Sequence, residues 1–588
     1  MASAAVAKAA QAAQATATTS WRVKVGIEIH ARVLARSKLF SGASTSFAHD
    51  LANPNEQVAL FDAGLPGTLP RVNAACVDQA IRTGIALRGT VHPTSIFERK
   101  HYFYGDSPLG FQITQQRHPI VSGGALHVVL KDNSKEEEAA RANKRKMEEK
   151  QRKKNEKKAK KKKNAKAAQQ AEKEDAAATQ ASVDADDGNA ADNTTASIEY
   201  RSLPQCTVRI TRIQLEQDTG RMLPTLDGQK QLLDLNRAGT GVMEIVTEPD
   251  MESPQEAAEF VQTMQTLLRT VGTCDGNMED GSLRADVNVS VHAPGINSHR
   301  VEVKNLNSIR AVSRAVEVEA LRLVTEYRDV EPDDLPTMAR PAETRAFDAL
   351  EGVSRVLRSK EGAADYRFFP DPDLPPLVIA EERISNLALT MPPLPEEILA
   401  RLQGPELALS QDDALVLFHE PGGVAYFDQV CVELNKIPEV SKDGPSQAAN
   451  WICSVLLGLG EMSLRETLHP AFVAGVVDMV AKEEISRLTA KKLLSESVGD
   501  LAAVDPRPIV EANAWFQIND DAVLRELAAS VLGQLAATPK GRKLISDFHG
   551  GKDALKGSFI GQVMRASGQR ANPRLLEPIV LDELRRFQ

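Results

Sequence analysis

The sequence predicts an α+β protein: a first region built on a mainly antiparallel sheet with helices, followed by an all-helical connector and a helical C-terminal tail. Three observations predict it. At 588 residues the chain exceeds what one hydrophobic core organises, so two or three domains are expected. Period-two segments, the mark of half-buried strands, dominate residues 20–385. Beyond them the pattern turns helical, with short polar or Gly/Pro breaks.

In chain order, residues 1–19 are rich in Ala, Thr and Ser, and Lys8 is their only charged residue. Such a leader is compatible with disorder or with the remnant of an organellar transit peptide. In the first region VKVGIEIHARVL, ALHVVLKD, CTVRITRIQLE, RADVNVSVHA and HRVEVKNL alternate as strands do. The segments SPQEAAEFVQTMQTLLRTVG and SIRAVSRAVEVEALRLVTEY carry helical spacing between them. Residues 133–197 lose their apolar side chains, becoming Lys/Glu/Ala-rich and then Asp/Ala/Thr/Asn-rich, and read as a low-complexity insert between two strands. The prolines of FFPDPDLPPLVI close the region, because they block both helix and central strand. Helical segments such as LPEEILARLQG, QAANWICSVLLGLG and HPAFVAGVVDMVAKEE then form a connector over 386–481. A further break near Lys482 begins the tail, 482–588.

Bulk composition excludes several classes. With 42% hydrophobic and 26% charged residues, and no apolar run near the roughly 20 residues a membrane span requires, no transmembrane helix is expected. The five cysteines are scattered without a C-x-x-C pair, which favours a reducing compartment and argues against structural zinc. A net charge of −9 is unusual for a nucleic-acid binder, and much of the positive charge sits in the insert. Any RNA contact must therefore be a local basic face, and the residues from Lys540 onward, where Lys and Arg outnumber acids, are the best candidate.

Four clusters in the first region carry polar chemistry. Gly26-Ile27-Glu28-Ile29-His30 lies on an alternating strand, so Glu28 and His30 project to one face, where a carboxylate and an imidazole can ligate a divalent ion. The second is Leu215 to Gly220 (LEQDTG). The third is Asn236 to Gly241 (NRAGTG) with Met243 to Asp250 (MEIVTEPD). The fourth is Met278 to Asn288 (MEDGSLRADVN), leading to Glu302 through Ser308 (EVKNLNS). Each sets carboxylates beside Gly or small residues that let a ligand approach the backbone. A solvated turn remains compatible with any one of them alone.

Together with SKLF (Ser37–Phe40), GLPGTLP (Gly64–Pro70), RKHYFYGD (Arg99–Asp106), RSKEGAADYRFFPDPDLPPL (Arg358–Leu377) and the late GQVMRASGQRANP, these motifs resemble the B subunit family of the glutamyl-tRNA(Gln)/aspartyl-tRNA(Asn) amidotransferase, from Trp21 to the C-terminus except the insert. The resemblance implies a first domain, the cradle, that uses ATP and Mg²⁺ to phosphorylate the side-chain carboxylate of a tRNA-linked glutamate and then admits ammonia. It implies Glu28, His30, Glu216 and Glu244 as metal ligands, Lys100, Tyr102 and Asp286 as catalytic-site residues, and Arg284 and Lys304 as phosphate contacts. One departure is that the family commonly has two adjacent Glu where this chain has Glu216-Gln217, which leaves the ligand set open. Another is that some members carry C-x-C and C-x-x-C after SKLF; here the segment reads FSGAS, and no zinc is expected.

The chain has no G-x-x-x-x-G-K-[ST], so a P-loop does not hold the nucleotide, and no G-x-S-x-G elbow or Ser/Lys amidase motif. Ammonia release would fall, in the resembling family, to an amidase-type A subunit, with a small third subunit completing a heterotrimer. Misacylated Glu-tRNA(Gln) is the implied substrate, with Asp-tRNA(Asn) amidation or a catalytically inactive tRNA-binding and assembly module as the alternatives, and the mitochondrion is the expected setting.

Overall fold

The structure, a computed structural model, describes residues 20–46, 53–130, 198–201, 203–225, 227–328, 342–359, 366–437, 443–459 and 464–586. The leader, 1–19, and the insert, 133–197, lie outside them. The described residues form two compact units, one ending at Pro392 and the other beginning at Pro393.

The first unit opens with β1 (Arg22–Arg32), α1 (Ala74–Ala86), β2 (Thr90–Val91), β3 (Thr94–Ser95), β4 (Glu98–His101), β5 (Phe111–Thr114), β6 (Val121–Ser122) and β7 (Ala125–Val129). There follow β8 (Gln205–Gln217), β9 (Arg221–Pro224), β10 (Gln231–Asp234), β11 (Gly241–Thr247), α2 (Pro254–Val271), β12 (Leu283–Ala293), β13 (Ile296–Asn297), β14 (Val301–Leu306) and α3 (Ile309–Tyr327). The unit closes with β15 (Glu343–Asp348), β16 (Val353–Ser359), β17 (Phe369–Pro370), β18 (Leu377–Val378) and α4 (Glu381–Leu389). Among these strands an 11-stranded sheet runs β16-β15-β14-β12-β1-β11-β8-β6-β2, with β13 on β12 and β7 on β8. All its pairings are antiparallel except β14 with β15.

The alternation in β1 explains how the sheet is covered. Val23, Val25, Ile27, Ile29 and Ala31 are fully buried, and in register beside them lie Val291, Val289, Val287, Ala285 and Leu283 of β12. Opposed residues of an antiparallel pair share a face, so these side chains form one apolar sheet surface. Helices α2 and α3 pack on each other, and α3 packs on β12. Each starts where a serine accepts a backbone N–H: Ser253 from Glu256 and Ser308 from Ala311, both at 3.1 Å. Helix α2 stops at Gly272, whose φ of 74° is the left-handed conformation of a C-terminal cap. Helix α4 returns to α1, with the Arg383 guanidinium 2.7 Å from the Asp78 carboxylate.

The described elements of the second unit are helices: α5 (Pro395–Gln403), α6 (Gln411–His419), α7 (Gly423–Leu434), α8 (Gly444–Ser454), α9 (Leu464–Thr467), α10 (Pro470–Ala481), α11 (Arg487–Glu496) and α12 (Arg507–Ala512) come first. After them come α13 (Asp521–Ala537), α14 (Pro539–His549), α15 (Lys556–Ala566) and α16 (Pro573–Arg585). Two cores organise them. One gathers buried side chains from Leu402 to Val510, including Tyr426, Phe427, Trp451 and Phe472. The other gathers Leu524 to Leu584 around Phe559. Lys482 has first-core residues on both sides, Met479 and Ile485.

Candidate active site

The same period of two that buries Ile29 turns Glu28, His30 and Arg32 to the opposite face of β1. His30 stands opposite Glu244 of β11 and Arg284 of β12, and Glu244 stands opposite Gln214 of β8. One row across the sheet thus reads Arg284–His30–Glu244–Gln214. A second pairs Glu28 with Asp286, and a third sets Glu216 beyond Val242. Motifs from four distant stretches of sequence therefore meet because their strands are neighbours.

This polar face floors a cavity of about 920 Å³. His30, Lys100, Tyr102, Glu216, Arg284, Asp286 and Lys304 all line it. Glu28 and Glu244 do not; they lie on the same sheet face beside the lining residues. Glu244 accepts a 2.9 Å hydrogen bond from Gln214 Nε2, and Glu28 a 3.2 Å one from Asn288 Nδ2. Lys100 and Tyr102 arrive from β4 and the turn after it. Lys304, on β14, is tied to Asp286 at 2.9 Å and to Glu302 at 2.8 Å. The next residue, Asn305, turns with φ 58° and donates its backbone N–H to Asp286 Oδ1 at 2.8 Å. Asp218 receives Arg284 at 3.1 Å and Arg237 at 3.5 Å.

Burial sets the electrostatics. Desolvation pushes the Glu216 and Glu244 carboxyls above the ordinary range, each like charge adding to the effect, while the Lys100 ammonium opposes it. Lys100 is held in its charged form, first by Glu216, whose carboxylate is 3.8 Å away, against the cost of burial. Desolvation acts against the charge on Lys304, but Asp286 and Glu302 outweigh it, and its pKa is raised. Burial lowers the pKa of His30 below the usual 6.5, which keeps its imidazole neutral near pH 7.

These properties fit a divalent cation in part. Glu216 Oε2 is buried without a hydrogen-bond partner, its Lys100 counter-charge standing off at 3.8 Å, and the neutral imidazole of His30 is the ligating form. Gln217 Oε1, also at the cavity, is likewise buried and unpartnered, so it presents a neutral carbonyl oxygen. Among the described residues, however, no three His, Cys, Asp or Glu side chains are gathered as a ready-made metal site.

Several lining residues carry no signal in their residue type alone. Tyr104 and Asp106 fall inside the RKHYFYGD motif, and Tyr366 and Arg367 inside the long proline-rich one. The Lys100 ammonium lies 5.5 Å from the centre of the Tyr366 ring. The motif boundaries were the available signal. Lys38 of SKLF is further back: it is fully buried, 3.2 Å from the Asp62 carboxylate and 3.3 Å from the Leu235 carbonyl. Asp62 also receives Ser41 and the Ala59 N–H, both at 3.0 Å. Gly239 packs against this pair so closely that a Cβ there would stand 2.4 Å from Asp62 Oδ1. The Gly239 N–H bonds the Asp218 carbonyl at 2.9 Å, which links the buried pair to the cavity wall.

Comparison with known proteins gives matches along nearly the whole chain. The family model described as the GatB/GatE catalytic domain matches residues 23–168 and 163–385, and that described as the GatB domain matches residues 433–584. The chain is 38% identical to the mitochondrial B subunit of glutamyl-tRNA(Gln) amidotransferase of Phytophthora infestans, over 96% of this chain and 95% of that protein. It is 37% identical to the B subunit of the aspartyl/glutamyl-tRNA(Asn/Gln) amidotransferase of Granulibacter bethesdensis, over 95% and 97%. With the protein of the same name from Rickettsia felis it shares 36% identity, over 96% and 98%.

Proposed function

The chain belongs to the GatB family of amidotransferase subunits, and on that premise we propose that its pocket activates the side-chain carboxylate of Glu-tRNA(Gln) with ATP and amidates it to Gln-tRNA(Gln). The observation that carries the reading is the meeting of Lys100, Arg284 and Lys304 with His30, Glu216 and Asp286 in one cavity. A carboxylate does not exchange an oxygen for ammonia at neutral pH, because the leaving group is too poor. Transfer of the γ-phosphoryl group of ATP to a carboxylate oxygen gives an acyl phosphate and ADP. Ammonia then attacks the acyl carbon and loses a proton as the bond to the phosphate oxygen breaks.

Phosphoryl transfer depends on positioning and charge neutralisation. Lys100, Arg284 and Lys304 supply positive charge, and their carboxylate partners hold each in a defined place before substrate arrives. Magnesium, when bound, supplies further neutralisation of phosphate oxygens; Glu216 and Glu244, with Glu28 and His30, are the residues that would hold it. Tyr102 keeps its phenol protonated, burial raising its pKa well above 10, and offers an O–H donor at the cavity wall.

The ammonia comes from an amidase-type A subunit, since this chain carries no glutaminase motif, and a small third subunit completes the complex. The tail, 482–588, adds tRNA contacts through its basic residues. A mitochondrial setting is supported by the named mitochondrial relative. Among the described residues no helix is long and apolar enough to cross a membrane. The names of the bacterial relatives also cover aspartyl-tRNA(Asn), which makes Asp-tRNA(Asn) the second substrate to assay.

The test is amidation by the purified complex with glutamine, ATP and either misacylated tRNA. Gln-tRNA(Gln) formed with matching release of ADP is the expected result. ATP-independent amidation, or none with either tRNA, would overturn the proposal.

A further inference from the structure

The mouth of the pocket carries apolar surface that the chemistry above does not use. Phe103 is 86% exposed and Tyr104 is 61% exposed, yet both line the cavity that holds Lys100 and Glu216. By contrast, Phe40, Phe97, Phe260 and Phe472 are fully buried. Phe103 is held against the backbone at Gly110, where an added Cβ would stand 3.3 Å from two of its ring atoms. The Tyr104 ring lies 5.5 Å from that of Tyr102, tilted by 50°. Met222, on the exposed hairpin β9–β10, approaches from the side: its sulfur is 3.2 Å from where a Cβ on Gly105 would be. Glycine at 105 and at 110 therefore allows an aromatic and thioether surface to lie close to the chain at the rim.

We propose that Phe103 and Tyr104 form a stacking platform for the adenine of the tRNA's terminal nucleotide. The inference rests on the proposed function, whose substrate ties a nucleobase to the reacting group through a short arm. Only a short methylene arm and an ester separate the glutamate carboxyl from the terminal ribose, and the base is attached to that ribose. When the carboxyl is beside Lys100 and Glu216, the terminal base is at the pocket rim. Every base has a π face, and stacking on an exposed aromatic is how single-stranded ends are held without hydrogen-bond readout. The adenine of ATP is a poorer match for this surface, because a small molecule can be enclosed within the cavity. The end of a large RNA must enter from outside, past the most exposed rings.

The experiment uses the whole complex with Phe103→Ala and Phe103→Trp. Phe103 is exposed, so neither change opens a hole in a core. Phe103→Ala raises KM for Glu-tRNA(Gln) by roughly tenfold or more, the range of one lost base–aromatic stack, while kcat and the KM for ATP stay near wild type. Phe103→Trp restores the wild-type KM. A tRNA whose terminal adenosine is replaced by cytidine, a smaller ring, loses affinity for the wild type and loses much less for Phe103→Ala. An unchanged KM for tRNA overturns the proposal. So does a raised KM for ATP instead, which would make the adenine that of the nucleotide, or loss of partner subunits during purification, which would make the surface a protein interface. Equilibrium binding of Glu-tRNA(Gln) without ATP separates this inference from the one beneath it. A complex that binds but never amidates contradicts the proposed function, whereas weaker binding by Phe103→Ala alone still supports the platform.

Discussion

Ile29 and His30 are consecutive residues of one strand, and they belong to different problems. The row through Ile29 reads Ala285, Ile29, Ile245 and Ile213, every member fully buried. The row through His30, one residue along, reads Arg284, His30, Glu244 and Gln214. The first face meets all its needs within the fold, since apolar atoms ask only for close packing. The second concentrates carboxylates that burial disfavours and leaves Glu216 Oε2 without a hydrogen bond. A face that folding leaves electrostatically unfinished is one that a ligand can finish.

The sharpest test of this contrast is a pair of alanine substitutions at neighbouring positions. Ile29→Ala removes buried methylenes from the packed face and lowers unfolding free energy by about 2–5 kcal/mol in urea titrations, leaving the chemistry of the folded fraction intact. His30→Ala should do the reverse: stability within about 1 kcal/mol, amidation reduced at least about a hundredfold, roughly 2.7 kcal/mol in the barrier, and glutamine hydrolysis by the complex retained. Equal losses of stability from both would erase the distinction between the faces.

A smaller effect separates function from stability at Glu244. Its folded pKa is raised above the ordinary 4.5, so the stability it contributes is fully present below that value and is lost as pH rises through the folded value. Glu244→Gln keeps an acceptor for the Gln214 amide and has no proton to lose. Its melting temperature should match wild type below pH 4.5 and exceed it increasingly toward pH 8, while amidation falls. A melting-temperature difference independent of pH would refute the assignment of a buried, disfavoured carboxylate. The smallest change expected is at Gln217, a lining residue whose side-chain carbonyl is buried without a hydrogen-bond partner. Gln217→Glu should lower the magnesium concentration for half-maximal amidation by a few-fold with little change in melting temperature; an unchanged requirement would place Gln217 outside the cation's reach.

Much of the fold was legible because alternation and helical spacing are local properties. The segments read as strands in VKVGIEIHARVL, CTVRITRIQLE and RADVNVSVHA became β1, β8 and β12, and the two long helical segments became α2 and α3 within a residue at each end. Helix α1 was not among them: AACVDQAIRTGIA sits between loop-like motifs, and its burial of Cys76, Val77, Ala80 and Ile81 follows from packing. For the site, alternation and side-chain chemistry singled out His30, whereas the roles of Lys100, Tyr102, Glu216, Arg284, Asp286 and Lys304 came from resemblance to a family.

By itself, then, the sequence determined which residues alternate, where the two long helices of the first unit begin and end, that Glu28 and His30 share a face, and to which family the motifs belong. Only the tertiary structure decided that β1 lies between β11 and β12, which is what sets Glu244 and Arg284 on either side of His30. It also decided that Tyr366 is carried to within 5.5 Å of Lys100, and that Lys38 and Asp62 are buried as a pair behind the wall. The reason is physical. Periodicity depends on the geometry of one residue relative to the next, whereas strand order, burial and the pKa of a carboxyl depend on what distant segments bring alongside it.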